Sequence, residues 1–144
     1  LEILLLHGDS LCTDDVDYQQ FRTMVRDNQW QTEFLKKPIE ERVAYASAAR
    51  EQSRAAAKTK STEIMDVNQT AVKTLFNSTQ HKYVIHGHTH RPAIHDISLK
   101  QDCSSETIGK RIVLGDWDKA IWFVEIQNGK IELRTLPFPQ QPSR

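Results

Sequence analysis

The stretch that decides the reading is Lys82-Tyr83-Val84-Ile85-His86-Gly87-His88-Thr89-His90-Arg91-Pro92. Its apolar opening predicts a strand, and the histidine-rich segment after it carries chemistry. In an extended segment residues two apart point to the same side, so His88 and His90 are expected to converge on one site. Gly87 lets backbone or ligand approach closely. Imidazole suits zinc, manganese, iron and related divalent ions, and two rings from one strand end are economical ligands. His86 reads as a supporting or structural residue, and His81 and His95 as surface.

A second stretch repeats the pattern. Ile3-Leu4-Leu5-Leu6 is a continuous apolar run, as expected of a strand covered on both faces, and it ends in His7-Gly8-Asp9. Where strands run parallel, ligands collect at the carboxyl ends, so two strand ends that each present histidine are expected to face one site. Asp9 is expected to orient a ligand imidazole or to fix the turn. The chain opens inside this strand without an initiator Met, and a central strand needs neighbours. The expectation is therefore the C-terminal part of a longer polypeptide.

Between the two stretches the period is helical. Tyr18, Phe21, Val25, Phe34 and Leu35 predict a helix over residues 14–35, started by Thr13, Asp14 and Asp15. Pro38 opens a second, Ala-rich helix through about residue 54, and a third is expected from Ser61, with Ile64, Met65, Val72, Leu75 and Phe76 on one face. Beyond His90, strands are expected at Arg111–Leu114, Ile121–Ile126 and Ile131–Leu136. Asn128-Gly129 marks a hairpin turn. Residues 101–110 read as a polar loop, and the tail from Pro137 as frayed. Trp117, Trp122 and Phe123 read as core of the late strands.

Composition narrows the function. The 144 residues carry 19 Lys+Arg against 19 Asp+Glu, and this balance argues against a nucleic-acid-coating protein. Hydrophobic residues make up 38% with no apolar run near membrane-spanning length, so the chain is neither disordered nor a membrane span. Cys12 and Cys103 make no disulfide framework, and a reducing cytoplasm is the default. Cys12 itself reads as a small buried side chain. Charge is uneven. Residues 1–35 hold seven acidic and two basic side chains, whereas residues 36–60 hold seven basic and three acidic ones. The second block is either a solvated helix face or a cationic helical lid, over an anionic substrate or resting on an anionic membrane surface.

The pattern strand-His-Gly-Asp, then strand-Gly-His-x-His, resembles the later motifs of the calcineurin-like metallophosphoesterases. Three blocks sharpen this: His7-Gly8-Asp9-Ser10-Leu11-Cys12-Thr13-Asp14-Asp15 with Tyr18 and Phe21-Arg22, then Ile64-Met65-Asp66-Val67-Asn68-Gln69, and Ile85 to Pro92. Together with Leu114-Gly115-Asp116-Trp117 they resemble the UDP-2,3-diacylglucosamine hydrolase family of the lipid A pathway in Gram-negative bacteria. The resemblance implies an α/β fold, namely the C-terminal part of a metallophosphoesterase α/β sandwich over residues 1–144, with a helical lid insertion over residues 30–60. It implies an enzyme that hydrolyses the pyrophosphate bond of UDP-2,3-diacylglucosamine to UMP and 2,3-diacylglucosamine 1-phosphate with two Mn²⁺ ions. His7 and His88 are then ligands of one ion and His90 of the other. Asp15, Tyr18, Ser53, Lys60 and His88 become substrate contacts, Asp15 and Tyr18 sharing one helix face. The bridging carboxylate and other ligands would come from a missing N-terminal part of the same protein. The protein is expected to lie peripherally on the cytoplasmic face of the inner membrane, with no nucleic-acid partner. Two other readings remain open, a metallophosphoesterase acting on another phosphoester and an isolated, non-catalytic metal-binding fragment.

Overall fold

The computed structural model describes residues 1–100 and 106–139; Cys103 lies outside the described residues. The elements in chain order are β1 (Ile3–Leu6), α1 (Val16–Val25), α2 (Asn28–Lys36), α3 (Ile39–Thr59), α4 (Gln69–Thr79), β2 (Tyr83–His86), β3 (Ala93–Lys100), β4 (Glu106–Val113), β5 (Ala120–Gln127) and β6 (Lys130–Pro137). A short 3-10 turn, Asp9–Leu11, follows β1. The mixed α/β character matches the expectation. The chain divides into two compact units, residues 1–11 with 69 onward, and Cys12–Asn68.

In the first unit four strands form a sheet in the order β1-β2-β4-β3. β1 pairs parallel with β2, and β2 parallel with β4, while β3 runs antiparallel to β4. The interior strands follow from their apolar runs: Val84, Ile85, Ile112 and Val113 are all buried. α4 supplies buried Val72 and Phe76. The Phe76 ring is the reason for glycine at 109, since a Cβ there would stand 2.6 Å from its Cε1 atom. Burying such side chains stabilises the fold by about 1.5–3 kcal/mol each.

β5 and β6 form a separate two-stranded sheet. Asn128 and Gly129 turn it with φ of 51° and 75°, the two positive values that a type I′ turn requires. Trp122 packs on Gly115, where a Cβ would stand 2.4 Å from its ring. Trp117 corrects the sequence reading: it is 64% exposed, and its Nε1 donates to the Trp122 carbonyl at 2.9 Å.

The second unit also departs from expectation. Residues 14–35 form two helices rather than one. Asp27 is extended, and its carboxylate accepts the Trp30 N–H at 2.8 Å, which starts α2 afresh. No helix begins at Ser61. Residues 61–68 are turns, and Asn68 Nδ2 donates to both Asp14 carboxylate oxygens at 2.9 and 3.0 Å. Cys12 is buried as expected, with its Sγ 3.9 Å from the Met65 carbonyl. The Met-Asp-Val-Asn block thus closes this unit against its own beginning.

Candidate metal centre

The register sets Leu6 beside His86 and His86 beside Val113. Because these three strands are parallel, residues 7, 87 and 114 leave the sheet side by side at its carboxyl end. The exits are tied together: Gly87 N–H donates to the His7 carbonyl at 3.0 Å, and Leu114 N–H to the His86 carbonyl at 2.8 Å.

This brings the imidazoles of His7 and His88 together, with ring centroids 4.9 Å apart and planes inclined at 60°. Buried Asp9 holds the first ring, its Oδ1 lying 3.1 Å from His7 Nδ1. A proton on Nδ1 directed at this carboxylate leaves the Nε2 lone pair to face a ligand, the usual arrangement behind metal-binding histidines. Asp9 therefore occupies the orienting place expected of it.

His90 reaches its position by another route than the sequence suggested. β2 ends at His86, and His88 and His90 both take left-handed backbone, with φ of 65° and 52°. The segment is not extended, so alternation does not place these rings. His90 Nδ1 stands 3.6 Å from Asp116 Oδ2, beyond β4 and past hydrogen-bond length. Among the described residues no group of three or more His, Cys, Asp or Glu side chains is gathered as a complete metal site. Two adjacent imidazoles, one fixed by a carboxylate, fit part of a divalent-ion site. Gly87 is not crowded, since a Cβ there would meet only the His7 carbonyl, at 3.9 Å.

Apart from His88, which lies in the first unit, the expected substrate contacts lie in the second unit. Asp15 is not on a helix face; it caps α1, accepting the Tyr18 N–H at 3.1 Å, and it also pairs with Lys60 Nζ. Asp17 Oδ2 lies 3.5 Å from the same ammonium. The hydrogen bond that Lys60 donates to Asp15 raises the Lys60 pKa above the ordinary lysine value against burial, which lowers it; the charges of Asp15 and Asp17 add to the rise. Tyr18 is half-buried, and Ser53 is exposed on α3.

Sequence reasoning passed over one buried pair. Arg111 Nη1 lies 3.0 Å from His86 Nε2, and both residues are buried. A charged residue opening the apolar run Ile112-Val113-Leu114 was the signal available.

Fold and strand ends define an α/β protein with a histidine-bearing site at the carboxyl ends of the parallel strands of a mixed sheet. No family model matches the chain. It is, however, 52% identical over 116 residues to UDP-2,3-diacylglucosamine hydrolase of Bordetella pertussis, covering 81% of this chain and 43% of that protein. Against the enzymes of that name from Tolumonas auensis and Pectobacterium carotovorum the identity is 45% and 44%, over 93% and 95% of this chain and 53% and 55% of theirs. The chain is a homologue of the UDP-2,3-diacylglucosamine hydrolases and spans about half the length of the curated relatives it matches.

Proposed function

We propose that this chain is the C-terminal part of a Mn²⁺-dependent UDP-2,3-diacylglucosamine hydrolase of the metallophosphoesterase sandwich type, cleaving the pyrophosphate bond to UMP and 2,3-diacylglucosamine 1-phosphate. The observation that carries this reading is the meeting of His7 and His88, from the ends of adjacent parallel strands, with Asp9 fixing the first ring. Divalent ions held by His7, His88 and His90 would neutralise phosphoryl charge and acidify water. The protein's own part is to present Nε2 lone pairs in fixed directions, through Asp9 at His7 and through the Gly87–His7 backbone bond. The leaving group is a phosphate monoester, already stable as an anion, so no strong general acid is needed.

The helical insertion at residues 30–60 serves the lipid part of the substrate. Trp30 stacks on Phe34, and Tyr45 meets both rings at an angle, with centroids 4.8–5.8 Å apart. Leu35, Ile39 and Val43 stand exposed beside them, more than half of each accessible. Among the described residues no helix is long and apolar enough to cross a membrane. The exposed apolar side chains support peripheral attachment, in this reading at the cytoplasmic face of the inner membrane, and Asp15, Tyr18, Ser53 and Lys60 are assigned to the glucosamine and phosphate groups.

The test is UMP release by the full-length polypeptide in Mn²⁺. His7→Ala, His88→Ala and His90→Ala are each expected to lower it more than about 100-fold, the upper end of what losing a mere supporting partner costs. Near wild-type release in His7→Ala and His90→Ala, or equal turnover of simple phosphoesters, would overturn the reading.

A further inference from the structure

We infer that His86 and Arg111 form a positioning pair that sets the spacing of the His7 and His88 imidazoles. The metal arm of this inference rests on the function proposed above; its geometric arm does not. The His86 ring touches both histidine-bearing turns. Its Nδ1 lies 2.9 Å from the Gly87 carbonyl, one residue before His88. It also lies against Gly8, one residue after His7, where a Cβ would stand 2.6 Å from Nδ1 and 3.2 Å from Cγ. The Gly8 φ of 106° further restricts that position to glycine.

Chemistry fixes the direction of each bond. A guanidinium only donates, so Arg111 Nη1 gives its hydrogen to His86 Nε2. The ring hydrogen then sits on Nδ1 and is donated to the Gly87 carbonyl. That carbonyl also accepts the Thr89 N–H at 2.8 Å, which shapes the turn holding His88. Arg111 thus selects the tautomer of His86, and the tautomer holds the turn. A burden of pure packing would be carried more cheaply by an aliphatic side chain at 111, because a buried guanidinium loses hydration. What the guanidinium adds is a donor aimed at Nε2 within the sheet.

The pair is tested in the full-length polypeptide with two readouts. In the metal-free protein, the NOE between the His7 and His88 ring protons reports their spacing. Mn²⁺ titration by calorimetry reports the consequence. His86→Phe fills the volume without either hydrogen bond, and Arg111→Met removes the donor. Both are expected to lose the NOE and to weaken Mn²⁺ binding about 10–100-fold, with Arg111→Lys recovering part of each. Val72→Ala, a core truncation on α4, is expected to lower the melting temperature and leave both readouts at wild type. An NOE that persists in folded Arg111→Met, or one lost equally in Val72→Ala, overturns the inference. If His86→Phe does not fold, the two Arg111 variants decide. If the wild type binds no Mn²⁺, the functional proposal fails while the NOE still decides the positioning.

Discussion

Asp15 illustrates how much one side chain can carry. It caps α1 and holds Lys60, forty-five positions away in sequence. The pair is mostly withdrawn from solvent, so breaking it costs more than a surface ion pair would. Lys60→Met is expected to destabilise the protein by about 1.5–3 kcal/mol at pH 8, the range for hydrogen bonds to charged groups. The folded-state pKa of Lys60 is raised, so its contribution is fully present below the unfolded value of about 10.4 and is lost as pH rises through the folded one. Urea unfolding should therefore show a difference between wild type and Lys60→Met that is constant from pH 7 to 9 and shrinks above it. A difference that grows with alkalinity would contradict the assignment. At this scale the sequence was legible where residue chemistry and strand direction suffice. Strand direction sets the turns that carry His7 and His88 side by side, and Asp9 lies against the His7 ring. The left-handed turn that carries His88 and His90 was not legible, because neither residue is a glycine announcing positive φ.

Among elements, caps and alternation decided the outcome, and they were read unevenly. Asp27 interrupts an otherwise continuous helical pattern by offering its carboxylate to Trp30 N–H. Asp27→Ala should cost about 1 kcal/mol, seen as a lower denaturation midpoint, with helicity lost around α2. An unchanged midpoint would mean that the break is held by packing instead. β3 went unpredicted although Ile97 and Leu99 point inward between the exposed Asp96 and Ser98. The polar pair His95-Asp96 interrupts the alternation that Ile97 and Leu99 carry. β4 likewise begins at residue 106, inside the expected polar loop, because its partner β3 supplies the ladder that its own polar residues do not advertise. The hairpin was read correctly, since Asn-Gly needs nothing beyond itself.

On the scale of the whole molecule, the second unit concentrates basic and exposed apolar side chains. Arg50, Arg54 and Lys58 recur every four residues along α3 and are all exposed, making a basic stripe. Each such residue near an anionic bilayer contributes about 1 kcal/mol. Replacing Arg50 and Arg54 by Gln should weaken co-sedimentation with phosphatidylglycerol vesicles roughly 30-fold at low salt. Unaltered partitioning would remove the stripe from any membrane role. This unit begins and ends at residues already clasped to each other, through the amide of Asn68 on the carboxylate of Asp14. A segment whose two ends meet can be excised like a cassette: a short Gly-Ser bridge in place of residues 15–67 should leave the remaining sheet folded, with its melting transition and the His7–His88 NOE intact. Under the function proposed above, grafting a different cassette at the same clasp would then give a route by which a lineage could exchange the fatty portion of its substrate without disturbing the strand ends.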